Sequence, residues 1–132
     1  MVMETEATTA SAAPARTGAG SHPLDGMVAL VSGGSRGLGR LLSVRLADAG
    51  AAVGLIARSP AELTAVVGEI NRAGGVAAAV SADVTDKRAM AAAVAELCQR
   101  LGAVEILINN AGVSGPAGPA WQAPPAEWWR SA

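Results

Sequence analysis

The stretch Ser32-Gly33-Gly34-Ser35-Arg36-Gly37-Leu38-Gly39 has the residue types and spacing to hold a phosphate ester. A diphosphate needs backbone N–H donors at close range and a helix N-terminus aimed at it. Gly33 permits a tight turn, Gly37 lets the backbone approach a ligand, and Gly39 lets a helix pack closely on a strand. Glycines also serve as plain turn residues, so position decides. Here the stretch follows an apolar run and precedes an amphipathic one. Two more polar clusters follow apolar runs: Ala82-Asp83-Val84 and Asn109-Asn110-Ala111-Gly112. Taken singly, Asp83 reads as a helix-entry turn residue and the asparagines as turn formers.

The elements that must position these groups alternate along the chain, the pattern of βαβ units. Met27 to Ser32 reads as a buried parallel strand, and a helix follows Gly37 to about Ala49. Leu38, Leu41, Leu42 and Leu46 are expected to share its inner face, with Gly50 as the stop. Ala52 to Ala57 is the second strand. Ser59, Pro60 and Glu62 then supply an N-cap, a first-turn proline and the acid of a capping box. Leu63, Val66, Val67 and Ile70 form that helix's buried stripe, and Gly74 ends it. Val76 to Val80 is the third strand. Thr85 is placed to cap a third helix, whose inner face holds Met90, Val94, Leu97, Cys98 and Leu101. Val104 to Asn109 is the fourth strand, and Pro125 to Ala132 reads as the opening of a further helix. Right-handed crossovers give a Rossmann-type α/β sheet in the order 3-2-1-4, flanked by helices and expected to stop before a fifth strand.

Composition narrows the field. Residues 1–21 are rich in Ala, Thr, Ser and Gly, and the segment is expected to be a disordered extension as far as residue 23, with the partial dinucleotide-binding domain over 24–132. Glu4 and Glu6 and the lack of an apolar core argue against a secretory signal, and Arg16 as the segment's sole basic residue argues against a transit peptide. Lys and Arg number 10 against 11 Asp and Glu, which offers no basic patch for nucleic acid, and no apolar run is long enough for a bilayer. Cys98 is the single cysteine, which excludes a disulfide framework or thiolate metal site and suits a buried structural thiol. His22, alone in the tail, is given no ligand or catalytic role. No metal site and no membrane or nucleic-acid partner is expected, and the picture fits a cytoplasmic protein.

The three clusters together, in this order and on these elements, resemble the short-chain dehydrogenase/reductase family from about Leu24 onward. The resemblance implies roles for individual residues. Gly33, Ser35, Arg36 and Leu38 would line the phosphates and the adenosine ribose. Asp83 and Val84 would frame the adenine, the Asp83 carboxylate accepting from its exocyclic amine. Asn110, Ala111 and Gly112 would pass under the ribose, with the Asn110 side chain fixing the fourth strand. NAD-binding members hold the ribose hydroxyls with an acidic residue at the end of strand two, where this chain has Ala57 followed by Arg58 and Ser59. Arg58, helped by Arg36, can instead pair with a 2′-phosphate, so NADP(H) is expected over NAD(H). Arg58 also admits the plainer reading of a solvated loop residue.

The family's chemistry is hydride transfer between nicotinamide and an alcohol or carbonyl carbon, assisted by a Tyr and a Lys one helical turn away. This sequence has no Tyr, and Lys87, its single lysine, starts the third helix. Ser114 follows the fourth strand and does not stand in for the family's serine. No catalytic residue is therefore assigned, and the chain is expected to be an inactive cofactor-binding portion. The complete enzyme would act on small alcohols or carbonyls and form homo-oligomers. Trp121, Trp128 and Trp129 suit core or interface packing, with substrate contact as the alternative. A binding module without turnover, an inert gene fragment and a Rossmann methyltransferase are the rival readings. Ala57 speaks against the last, which wants an acid at that position.

Overall fold

The computed structural model describes residues 22–113 and 117–131, without the side chains of Ala120, Trp128, Arg130 and Ser131. The expectations for residues 1–21, Ser114 and Ala132 lie outside the described residues. Elements run in strict alternation: β1 (Val28–Ser32), α1 (Gly37–Asp48), β2 (Ala52–Ala57), α2 (Pro60–Arg72), β3 (Val76–Ser81), α3 (Lys87–Leu101) and β4 (Ile106–Asn109). A one-turn 3-10 helix at Ala120–Gln122 and α4 (Pro125–Ser131) follow.

All pairings are parallel, and the strand order is β3-β2-β1-β4 as the crossover argument predicts. Register puts Val31 beside Leu55 and Ile108, so the carboxyl ends of β1, β2 and β4 finish level. β1 and β2 are buried along their whole length, which is why their sequences are apolar runs instead of alternations. β4 alternates between half-buried and exposed residues, and β3 buries Ala78 alone; each has a single neighbour among the described strands.

Two separate apolar cores sandwich the sheet. On one face Leu63, Val66 and Ile70 of α2 meet Val31, Val53 and Leu55, with Val44, Leu46 and Ala47 of α1 packed alongside. On the other, Ala93, Leu97 and Leu101 of α3 meet Leu30, Ile56 and Ala78. Gly54 makes room on that side: a Cβ there would press on Leu30, Leu97 and Leu101 at 3.1–3.4 Å.

Three local expectations are corrected. Leu38 and Leu41 are 62% and 50% exposed, so these two leucines do not face inward, whereas Leu46 packs against the core. The buried residues of α1 are Gly39 and Ser43, a small pair one turn apart that lets the helix lie close to the strands. The buried Ser43 hydroxyl donates to the Gly39 carbonyl within the helix, so it needs no outside partner. Second, the cap of α3 is Asp86, which accepts from the N–H groups of Arg88 and Ala89; Thr85 donates to Asp83 instead. Third, His22 belongs to a turn, its N–H donating to Asp25, and Leu24 joins the core behind it.

Candidate dinucleotide-binding site

Because every strand runs the same way, four loops leave the sheet at one edge. These are the segments after Ser32, Ala57, Ser81 and Asn109, and together with the first turn of α1 they carry the candidate cofactor-binding residues. The loop after β1 is folded by its glycines. Gly33 has φ 68° and Gly37 φ 57°, both in the left-handed region that a side chain disfavours. A Cβ on Gly33 would meet Ala111 at 2.8 Å, and one on Gly39 would collide with the Gly33 carbonyl and with Asn110 Nδ2. A Cβ on Gly37 would meet nothing within 4 Å, so the backbone there faces open space. The loop is therefore tight against the fold at Gly33 and Gly39 and open at Gly37.

Helix α1 begins in that loop, and its N-terminus differs from those of α2 and α3. Ser59 caps α2 and Asp86 caps α3, each accepting backbone N–H groups through a side-chain oxygen. Arg36, at the same position of α1, contributes no side-chain cap, and no acidic residue occupies the first turn. The first N–H groups of α1 and its positive dipole end are thus left to attract an anion.

Cross-links hold the loop in this shape. The Gly33 N–H donates to the Ile56 carbonyl at 2.7 Å, and Asn110 Nδ2 donates to the Gly33 carbonyl at 3.1 Å. Ser32 is the node of the arrangement. Its hydroxyl donates to the Ile108 carbonyl and accepts from the N–H groups of Asn110 and Ala111, at 3.1 and 3.2 Å. Asn110, Ala111 and Gly33 are brought together by these bonds although β4 is last in sequence. Arg58 leaves the end of β2 with its carbonyl held by the Ser81 hydroxyl at 3.0 Å and its side chain exposed. Ser35 donates to Glu62 at 3.0 Å, which ties the loop to the start of α2.

Asp83 sits at the end of β3, where its carboxylate accepts from the N–H and hydroxyl of Thr85 at 2.9 and 2.7 Å. Those bonds, the backbone one foremost, hold its pKa below the ordinary carboxylate value against an opposing effect of burial, with Arg58 adding a favourable charge. A carboxylate has two oxygens and several lone pairs, so this turn role and acceptance from a ligand amine are compatible. Leu38, Arg36, Val84, Ala111 and Gly112 are exposed, and the whole forms an open ledge across the strand ends. A cavity of about 530 Å³ lies at the opposite edge, among His22, Asp25, Asp48, Glu69 and Ile70. We place the candidate site on the ledge, since the glycines, the uncapped helix and the arginines converge there. Ser32, Ser81 and Glu62 are the contributors that sequence reasoning left without a role at this ledge. Ser32 and Ser81 each end a strand, which was the available signal; Glu62 had been given to the capping box.

The residues present fit a dinucleotide: an open glycine turn before an uncapped helix for the diphosphate, and Arg58 beyond the end of β2 for the adenosine end. Fold and site define a Rossmann-type nucleotide-binding unit. The comparisons with known proteins carry the assignment further. The short chain dehydrogenase family model matches residues 27–132, and the chain belongs to that family. The short chain dehydrogenase tazN of Aspergillus terreus is 38% identical over 108 residues, 80% of this chain and 24% of that protein. A metagenomic short-chain oxidoreductase solved in complex with NADP is 41% identical, with TM-score 0.73 over 80% of this chain and 48% of that one. A variant of the actinorhodin polyketide ketoreductase solved with NADPH is 33% identical, with TM-score 0.73 over 78% of this chain and 39% of that one. The chain thus spans less than half the length of each of these relatives. Among the described residues no helix is long and apolar enough to cross a membrane.

Proposed function

We propose that this chain binds NADP(H), in preference to NAD(H), as the cofactor-holding portion of an oxidoreductase that interconverts alcohols and carbonyls. The observation that carries the reading is the uncapped N-terminus of α1 behind the Gly33–Gly39 turn, with Arg58 and not a carboxylate following β2. Gly37 and the first N–H groups of α1 would receive the diphosphate. Arg36 and Arg58, both exposed, would pair with the 2′-phosphate. Asp83 and Val84 would border the adenine, and Asn110, Ala111 and Gly112 would pass under the adenosine ribose. When bound, the nicotinamide supplies hydride transfer; this chain's own residues bind and orient it. The NADP and NADPH named for two of the similar structures support the cofactor, and the ketoreductase supports a carbonyl substrate.

These 132 residues contain no Tyr, and Lys87 opens α3, two residues past the Thr85 turn and well away from Ser35 and Gly37 in sequence. With no phenolic group to exchange a proton with substrate oxygen, we expect binding without turnover from this chain. Exposed Trp121 and Trp129, on the 3-10 turn and α4, offer apolar surface to a neighbouring subunit or to the substrate region of a complete enzyme. Fluorescence titration of the purified chain with NADPH and NADH tests the cofactor reading. Saturable binding with tighter affinity for NADPH is expected; absence of saturation with either nucleotide overturns it.

A further inference from the structure

The sequence pattern Ser59-Pro60-Ala61-Glu62 predicts a capping box, in which the Glu62 carboxylate turns back to the cap residue's own N–H. Only half of that box forms. Ser59 accepts from the Glu62 N–H at 3.3 Å, but the carboxylate points across the fold and accepts from the Ser35 hydroxyl, 27 residues earlier, at 3.0 Å. Ser35 lies in the phosphate loop and is 9% exposed, so its hydroxyl has little water to turn to. Its bond to α2 also shows which side of the loop it occupies. That is the side toward the end of β2, where Arg58 emerges.

A serine hydroxyl has one proton to give and two lone pairs to offer. Glu62 takes the proton. What Ser35 can still present to a ligand is acceptor character alone, backed by the negative charge of the carboxylate behind it. A ribose 2′-hydroxyl, which can donate, meets a partner there. A 2′-phosphate oxygen, which can only accept at neutral pH, meets lone pairs and a carboxylate. Arg36 and Arg58 pull the selectivity toward the phosphate, and Glu62 acts against them.

Resting on the cofactor reading above, we propose that Glu62 is a specificity-setting positioning residue, which fixes the Ser35 hydroxyl as an acceptor and so narrows the preference for the 2′-phosphorylated dinucleotide. Glu62 does not touch the nucleotide in this account; it works through Ser35. Glu62→Gln keeps the size of the side chain, removes the charge, and offers an amide N–H to Ser35 Oγ. The Ser35 proton is then released toward the ligand. The chain should gain affinity for NADPH relative to NADH by about tenfold, the scale of a charge-assisted hydrogen bond. Ser35→Ala deletes the acceptor itself, so affinity for NADH should fall while that for NADPH holds. Glu62→Gln placed on the Ser35→Ala background should then change the ratio by less than half as much as it does alone.

The experiment is fluorescence titration of the full chain and its three variants with NADPH and with NADH, at one fixed low salt concentration, with folding of each checked by circular dichroism. A purely structural role for Glu62 would weaken both nucleotides together and leave their ratio in place. A wild-type chain that binds neither nucleotide overturns the cofactor reading and this proposal with it. A wild-type chain that binds, with an unchanged or lowered NADPH/NADH ratio in Glu62→Gln, overturns this proposal alone. Should Glu62→Gln fail to fold, Ser35→Ala decides: an unchanged ratio there refutes the role of Ser35 and hence of Glu62.

Discussion

Replacing Gly39 by Ala adds one methyl group at the point where α1, the phosphate loop and the end of β4 converge. The built Cβ collides with the Gly33 carbonyl and with Asn110 Nδ2, the two partners of one hydrogen bond. Neither is the loose end of a surface side chain: one is backbone, and the other is already engaged. Forcing a methyl group into such a contact costs about 1–3 kcal/mol. Losing the Asn110–Gly33 bond adds about 0.5–1.5 kcal/mol. The sum, roughly 1.5–4.5 kcal/mol, translates into a fall in Tm of roughly 6–36 °C for a domain near 100 residues. Urea unfolding followed by far-UV circular dichroism measures it directly. Asn110→Ala supplies the internal control, because removing that side chain relieves part of the collision beforehand. The cost of Gly39→Ala should therefore shrink by about 0.5–1.5 kcal/mol on the Asn110→Ala background. A Gly39→Ala protein within about 0.5 kcal/mol of the wild type refutes the close-packing argument, and strictly additive single and double variants refute the part assigned to Asn110.

Arg58→Ala should weaken NADPH binding by about ten- to a hundredfold and NADH binding far less, since only NADPH has a 2′-phosphate to lose; parallel titrations at low salt decide it. Ser32→Ala leaves the N–H groups of Asn110 and Ala111 without their acceptor and should cost about 1–3 kcal/mol in denaturant unfolding. The pKa of Asp83 is held below the ordinary value, so its contribution is complete above the unfolded carboxylate pKa and is lost as pH falls through the lower folded one. The difference in Tm between the wild type and Asp83→Ala should accordingly be constant near neutrality and close below about pH 4, near the reference carboxylate pKa; a difference that persists unchanged to acid would refute the Thr85 bonds as its source. Leu107 is 56% exposed on β4, whose outer edge has no paired strand among the described residues, so the chain should self-associate with concentration in light scattering and Leu107→Lys should reduce that.

The sheet order and the element sequence were legible because they follow from apolar runs and crossover handedness, which are properties of the whole chain. Strand β2 and the Ser59–Pro60 start of α2 matched, since those two residues leave few alternatives, while the Glu62 half of the capping box did not form. The inner face of α1 was not legible. Leucine spacing pointed one way, but close approach to the sheet selects small residues, and Gly39 and Ser43 carry no hydrophobic signal. Likewise Thr85 and Asp86 are both good caps, and which one serves was settled by Thr85 turning back to Asp83. At the candidate site, the glycines could be read from spacing, and Arg58 only from what the family resemblance implies. Ser32, Ser81 and Glu62 could not, because their partners lie 76, 23 and 27 residues away and are adjacent only once the sheet has formed.

The fastening of Gly33 by Asn110 spans 77 positions, which sets an order of events during synthesis. The glycine turn leaves the ribosome early, yet its last restraint arrives only when β4 docks against β1. Closing so long a loop is slow compared with forming either neighbouring helix. For that interval the nascent chain carries an unfinished turn, with Ser32 lacking the strand that satisfies it. The finished geometry of the turn is then a late product of folding. Nucleotide capture by the growing polypeptide would report that the fourth strand has arrived, making the ligand a timer for completion of the sheet.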